Sequence, residues 1–253
     1  MKLYSLASGS SGNCFLIDNG KQTILIDVGI TFNKIKEKLN LLGYDVNNID
    51  YVLITHEHGD HIKSLSNFPN NKLFSGVKVP GIINILKNKE EIRLGDYKVL
   101  TYPLSHDVDC CGYRITYKDE SLVYLTDTGY VSYKVKPYLF NATYYVFESN
   151  HDVKMLMESK RPFFLKSRIL ADDGHLSNED ASDILTSIIG NNTKEIFLAH
   201  VSNECNSKEK AYDALIKTLD NKNVDYKKIR IEVLDKEEIS RGGKVYDKDS
   251  LSV

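Results

Sequence analysis

Short apolar runs separated by polar turns dominate the first half of the chain. They are rich in Val, Ile, Leu and Tyr, which favour strands, and the Asn19-Gly20 pair between two of them is typical of a hairpin turn. We therefore predict strands at 2–8, 14–19, 22–28, 51–56, 72–76, 91–94, 97–105, 113–119 and 121–127.

The second half alternates strand and helix patterns. Ser177 is placed to cap a helix beginning at residue 178, with Asp180 in its first turn. The predicted strands are 144–148, 195–199 and 229–234, and the predicted helices are 31–42, one from about 151, 178–189 and 207–219.

Strands early in the chain and interleaved helices later favour an α/β sandwich, in which two mixed sheets pack together and helices cover their outer faces. No linker rich in Pro, Gly or Ser, no repeat and no low-complexity tract divides the sequence. We therefore predict a single domain over residues 1–253.

Composition narrows the classes of partner. The formal net charge is −2, so the chain as a whole is not a basic nucleic-acid binder, although the run KRPFFLKSR at 160–168 is a local basic segment. No apolar run resembles a signal peptide or reaches the length of a membrane span, which predicts a cytoplasmic protein without a membrane partner. The cysteines lack paired CxxC spacing, as expected of free thiols in a reducing compartment: Cys14, Cys110, Cys111 and Cys205.

Three of the seven histidines lie within the six residues HEHGDH at 56–61. An apolar strand runs directly into this segment, and a glycine provides the bend, so the side chains can converge. Other acids and imidazoles follow predicted strands at Asp27, His106, Asp127 and His200. Any one of them alone is better interpreted as a surface or structural residue. The whole array is better interpreted as a site for zinc, manganese or iron, because imidazole and carboxylate ligands suit these metals.

HEHGDH resembles the HxHxDH signature of the metallo-β-lactamase fold, and the strand-end residues follow that superfamily's order. The segments LASGSSGN, TDTGYVS, FESNHD, GHLSNEDA and LAHVS further resemble the YycJ/WalJ branch, near the RNase Z-like phosphodiesterases. The resemblance covers nearly the full chain. It implies the αββα metallo-β-lactamase sandwich and a hydrolase that acts on phosphodiesters.

The resemblance also implies roles for the site residues. Two divalent ions are expected, with Zn²⁺ preferred and Mn²⁺ or Fe²⁺ as alternatives. One ion would bind His56, His58 and His106. The other would bind Asp60, His61 and His200, with Asp127 bridging the two. Asp27 would orient a ligand by hydrogen bonding.

For catalysis we expect His175 to act as general acid, with Glu148 fixing its tautomer and Asp60 contributing from the metal side. The Gly/Ser loop at 8–13 offers Ser10, Ser11 and Asn13 as substrate-binding residues, although a plain turn is an equal alternative. The role of His151 stays open.

The substrate is predicted to be DNA, cleaved as by a YycJ-like 5′–3′ exonuclease. The segment between His61 and His106 is shorter than that resemblance implies. A cyclic nucleotide phosphodiesterase for cCMP or cUMP, similar to phage anti-Pycsar proteins that evade bacterial immunity, therefore remains an alternative. A thioester or lactam hydrolase and a non-catalytic module are disfavoured by the extra Glu–His pair and by the intact ligand set. A homodimer is possible by analogy with related phosphodiesterases.

Overall fold

The computed structural model describes residues 1–244. Its strands are β1 (Lys2–Ala7), β2 (Cys14–Asp18), β3 (Thr23–Ile26), β4 (Tyr51–Ile54), β5 (Leu73–Ser75), β6 (Asn84–Ile85), β7 (Glu91–Leu94), β8 (Tyr97–Leu104), β9 (Cys110–Tyr117), β10 (Glu120–Leu125), β11 (Tyr144–Glu148), β12 (Glu195–Ala199), β13 (Arg230–Val233) and β14 (Ser240–Gly243).

The α-helices are α1 (Phe32–Leu41), α2 (Gly59–Ile62), α3 (Lys136–Leu139), α4 (Val153–Glu158), α5 (Phe163–Ile169), α6 (Asn178–Ile188) and α7 (Lys208–Asn221), and short 3-10 turns cover Val46–Asn48, Leu65–Asn67 and Asn70–Lys72. Among residues 1–244, no helix combines the length and the apolar character needed to cross a membrane.

The strands form two seven-stranded mixed sheets. The first has the order β14-β1-β2-β3-β4-β5-β6 and the second the order β13-β12-β11-β10-β9-β8-β7. Strands β3 to β6 are parallel, and so are β10 to β13, whereas the remaining pairs are antiparallel. The predicted α/β sandwich with two mixed sheets is confirmed.

Three apolar clusters hold the layers together. The central cluster joins the two sheets, and Phe15 of β2 makes edge-to-face contacts there with Tyr124 of β10 and Phe197 of β12. A second cluster buries Ile35 and Leu39 of α1 against the first sheet. The third buries the apolar faces of α6 and α7 against the second sheet, which completes the four layers.

Most predicted elements are confirmed, with shifts of a few residues at their ends. Asn19-Gly20 lies in the β2–β3 hairpin, and Gly20 has a φ of 89°, which favours glycine. The Ser177 side chain accepts from the backbone N–H of Asp180, as expected of a cap. The pattern missed the strands β6 and β14 and the helices α2, α3 and α5.

The interior contact of Phe15 leads to a stability prediction. We expect Phe15→Ala to lower the free energy of unfolding by about 3–5 kcal/mol, because the ring is buried between both sheets and leaves a cavity. Urea unfolding measures the change. Phe163→Ala is the matched control, because that ring is 76% exposed, and a change within about 0.5 kcal/mol is expected there. Equal losses in the two variants would contradict this description of the core.

Candidate metal centre

Every strand that precedes a predicted ligand or relay residue ends at one rim of the sandwich. The strands β8, β10, β11 and β12 run in the same direction, because β9 is antiparallel to both of its neighbours. In open α/β sheets, ligand sites form beyond the carboxyl ends of parallel strands. The residues at these ends or directly beyond them, in both sheets, are Asp27, His56, His106, Asp127, Glu148 and His200.

Three of these residues have a left-handed backbone. The φ angles are 57° at Asp27, 59° at Asp127 and 53° at His200. For residues other than glycine this conformation costs about 1–3 kcal/mol and persists only where the surroundings enforce it. Hydrogen bonds do so here: the Asp27 N–H donates to the Leu53 carbonyl at 2.8 Å, and the His200 N–H donates to Ser8 Oγ at 2.9 Å. The strain therefore falls on residues predicted to act at the site.

The first group of candidate ligand atoms comes from His56, His58 and His106, which offer ring nitrogens within 4.8 Å of one another. His106 Nε2 lies 3.3 Å from His58 Nδ1. Burial lowers the pKa of His56 and of His106, which favours the neutral rings that a metal binds.

The second group contains Asp60, His61 and His200. His61 Nε2 lies 3.6 Å from Asp60 Oδ2 and 3.2 Å from Asp127 Oδ2. Asp127 also groups with His56 and His61, so its carboxylate lies between the two sets of ligands. Burial alone would raise the pKa of Asp127, but the neighbouring His200 and His61 hold it well below its usual range.

Several ligand atoms are buried without a hydrogen-bond partner among residues 1–244. They are His56 Nε2, His200 Nε2 and Asp127 Oδ2. An unsatisfied buried polar atom costs about 1–3 kcal/mol, and a divalent cation would satisfy these three together. The donors are imidazole nitrogens and carboxylate oxygens, which suit zinc, manganese or iron. The residues therefore fit a centre for divalent metal ions.

Asp27 holds the candidate ligand His61 in place by a hydrogen bond. Its Oδ2 lies 2.8 Å from His61 Nδ1, and its Oδ1 accepts from the backbone N–H of Thr55 at 2.9 Å. The Thr55 hydroxyl also contacts Asp27 and lies 3.0 Å from His56 Nδ1. These contacts occupy the Nδ1 atoms and turn both Nε2 atoms toward the candidate metal site, where His56 Nε2 has no hydrogen-bond partner among residues 1–244 and His61 Nε2 contacts Asn13 Nδ2. Thr55 was missed in the sequence, where a strand-end threonine carries no distinctive signal.

Glu148 connects the metal centre to His175. Its Oε1 lies 2.8 Å from His175 Nδ1 and 2.8 Å from His200 Nδ1. Burial alone would raise the pKa of Glu148, but the charge of His175 and the hydrogen bonds from both histidines lower it to about 2. The sequence predicts the contact with His175 but not the contact with His200.

A pocket of about 300 Å³ opens over this centre. His58, Asp60, Asp127, His175, His200 and Ser10 contribute to its lining. Asp107, Arg161 and Arg168 also line it, although the sequence had not assigned them to the site. The basic run at 160–168 was the signal for the two arginines, but it did not show which basic residues face the pocket.

Unlike Ser10, the other two predicted substrate-binding residues of the Gly/Ser loop do not line the pocket. Ser11 is exposed, whereas Asn13 is 1% exposed, with its Nδ2 at 3.0 Å from His61 Nε2. Gly29 packs between α2 and this loop so closely that a Cβ there would lie 1.5 Å from the Asp60 carbonyl oxygen and 2.8 Å from the Asn13 backbone nitrogen. The substrate roles of Ser10, Ser11 and Asn13 stay predictions.

His151 is buried beside the relay. Its backbone pairs with Ser177, and its carbonyl accepts from the Asn178 N–H at 2.8 Å, so it links the 147–152 loop to the start of α6.

All four cysteines are free and buried, and Cys110 Sγ lies 3.7 Å from His56 Nδ1.

Comparison with known proteins agrees with this geometry. Residues 7–109 match the model of the metallo-beta-lactamase superfamily. The chain is 37% identical to exodeoxyribonuclease WalJ of Streptococcus pneumoniae, over 85% of this chain and 86% of that protein. It is 33% identical to exodeoxyribonuclease YycJ of Bacillus anthracis, over 86% of this chain and 88% of that one. The chain belongs to the WalJ/YycJ family.

Two other matches are more limited. The anti-Pycsar protein Apyc1 of a Paenibacillus species is 35% identical, but over only 36% of this chain and 38% of that protein. The solved structure of YhfI from Bacillus subtilis matches with a TM-score of 0.68 and 16% identity, over 96% of this chain and 100% of that one, and supports the fold alone. The family resemblance predicted for this WalJ/YycJ member is thus confirmed.

The convergence of two ligand groups predicts the metal content. We expect protein purified without chelator to carry about two divalent ions per chain, and His61→Ala to lose one preferentially. Elemental analysis measures both. His151→Gln is the control, because His151 belongs to neither ligand group and its substitution should leave the metal content unchanged. Less than one ion per parent chain, even after metal is added, would contradict a two-ion centre.

The Asp27–His61 contact predicts a second effect. We expect Asp27→Asn to weaken metal binding about 10- to 100-fold, because His61 loses the carboxylate that fixes its ring. Competition against a chelator measures the affinity. Thr55→Ser keeps the hydroxyl that contacts Asp27 and should retain the parent affinity. If Asp27→Asn retains it too, the carboxylate has no role in orienting His61.

Proposed function

We propose that this protein is a metal-dependent exodeoxyribonuclease that cleaves phosphodiester bonds in the 5′–3′ direction. Membership of a family whose relatives are named exodeoxyribonucleases supports this proposal. The observation that carries it is the Glu148–His175 pair beside the candidate metal ligands, because phosphodiester cleavage requires a proton for the leaving oxygen.

The proposed ligands are His56, His58 and His106 for one ion and Asp60, His61 and His200 for the other, with Asp127 shared. The preferred metal is Zn²⁺. Two divalent ions, when bound, would lower the pKa of the attacking water and neutralise charge on the phosphate. The site would operate in the cytoplasm, and a homodimer is compatible with the proposal.

In this proposal His175 binds no metal and instead donates a proton to the leaving group. Its Nδ1 is engaged by the buried Glu148 carboxylate, so Nε2 is the ring nitrogen available to a substrate in the pocket. Glu148 favours the tautomer with hydrogen on Nδ1 and fixes the orientation of the ring. The imidazolium can then donate its Nε2 proton to the oxygen that leaves phosphorus. Asp60 lines the same pocket and completes the predicted catalytic set.

A direct comparison of substrates tests the function. We expect the protein to shorten end-labelled DNA, with products that identify a 5′–3′ direction, while cCMP and cUMP remain largely intact. The local similarity to Apyc1 makes the cyclic nucleotides the appropriate competitors. Asp127→Ala is the control for contaminating nucleases, because it removes the carboxylate that lies between both ligand groups. Hydrolysis of the cyclic nucleotides without loss of DNA would replace the nuclease proposal with the alternative.

The leaving group tests the general acid. We expect His175→Ala to keep its metal content but to lose about 10²–10⁴ in rate on DNA. The loss should shrink on a p-nitrophenyl phosphodiester, whose leaving group departs without a proton. Equal losses on both substrates, or loss of metal, would remove His175 from this role. Glu148→Gln is a poor substitute, because Glu148 also holds His200 and its loss disturbs a candidate ligand.

A further inference from the structure

We propose that Arg161, Phe163, Phe164 and Arg168 form a wall that binds the single-stranded end of the DNA next to the metal centre. This inference rests on the proposed nuclease function and extends it to the residues that select the substrate. The four residues lie on α5 and the segment before it, and we call them the α5 wall.

Charge is the first argument. Most polar groups that line the pocket are carboxylates or histidines, whereas Arg161 and Arg168 are the Lys or Arg side chains that line it within residues 1–244. A phosphodiester approaching the metal centre therefore meets permanent positive charge on this side. A chain with a net charge of −2 needs such a local feature to bind an anionic polymer.

Both arginines are held in place but keep free donors. Arg161 Nε donates to Glu204 Oε2 at 2.8 Å, and Arg168 pairs with Asp107. The Asp107 carboxylate in turn lies 3.3 Å from His106 Nε2, which connects α5 to the metal centre. A guanidinium has five N–H donors in a fixed fork, so one carboxylate contact leaves others for a phosphate.

The basic run at 160–168 contains a lysine that does not belong to the α5 wall. Lys166 Nζ donates to the carbonyls of Met157 and Ser159, at 2.6 Å and 2.8 Å, so it stabilises the end of α4. Lys160 does not line the pocket. The structure thus separates two pocket arginines from two other basic residues within one sequence run.

Exposed aromatic rings that lie between these arginines in the sequence, outside the lining of the pocket, provide the second argument. Phe163 and Phe164 begin α5 and are 76% and 68% exposed. Aromatic rings beside a positively charged groove are the usual platform for single-stranded nucleic acid, because bases stack on them regardless of sequence. The pocket volume of about 300 Å³ lies at the lower end for ligand sites and suits one unpaired nucleotide better than a base pair.

Salt dependence tests the arginines. Binding of a fluorescent phosphorothioate oligothymidylate, which resists cleavage, is measured by anisotropy with the metal-loaded protein over a range of salt concentrations. For single strands the logarithm of the binding constant falls as the logarithm of the salt concentration rises, with a slope of about 0.7 in magnitude for each phosphate contact. We expect Arg161→Gln and Arg168→Gln each to reduce the slope by about 0.7. Arg168→Lys should retain most of it, and Lys217→Gln, exposed on α7, should retain all of it.

The phenylalanines require a different readout. We expect the double substitution of Phe163 and Phe164 by serine to weaken binding about fivefold or more while the salt slope stays constant, because stacking releases no counterions. Light scattering measures the mass of the same variant, which should equal that of the parent. A fall to half the parent mass would identify the rings as a subunit interface and overturn their role in stacking.

The two proposals fail in different ways. If the parent does not bind the oligonucleotide at all, the nuclease function fails and the α5 wall fails with it. If the parent binds with a clear salt dependence that both arginine variants preserve, the nuclease function stands and the α5 wall is wrong. Matched metal contents and circular dichroism spectra exclude misfolding as the cause of a reduced slope.

Discussion

The buried carboxylate of Glu148 accepts hydrogen bonds from two histidines, one a predicted metal ligand and the other a predicted general acid. Oε1 faces His175 and His200, and Oε2 accepts from the backbone N–H of Thr128, which directly follows Asp127. One anion at the end of β11 therefore fixes a candidate ligand, the candidate acid and the turn that carries the shared carboxylate. The spacing between the candidate ligand His200 and the candidate acid His175 depends on this one side chain.

The left-handed turns at Asp27, Asp127 and His200 complement this arrangement. Each turn follows a strand whose apolar residues are buried between layers, so the strained residue is anchored on its N-terminal side. The cost of about 1–3 kcal/mol for each is small beside the burial of three apolar clusters. The sandwich therefore tolerates strain where the chemistry needs it.

Much of this organisation could be predicted from the sequence. Strands such as β4 and β10 are strongly apolar, and the HEHGDH segment has a spacing that few structural segments share. The strand β14 could not be predicted, because its sequence SRGG has no apolar pattern and its conformation comes from pairing with β1.

The same limit applies to the site. The Glu148–His200 contact joins the ends of neighbouring strands and depends on the β11–β12 register, which a single sequence does not give. The helix α5 buries none of its residues, so it lacks the apolar face that reveals most helices. Arg161 and Arg168 could be counted in the sequence, but their position at the pocket follows from tertiary packing alone.

The pairing of β14 with β1 also bears on how the protein is made. Lys2 pairs with Gly243 and Ser5 with Ser240, so one side of β1 receives its partner from the far end of the described chain. On the ribosome, β1 emerges before β14, so this edge of β1 stays unpaired until β14 has been translated. Such edges template association between chains. Forms of this chain that lack β14 therefore expose the edge of β1 and are the ones most prone to aggregation.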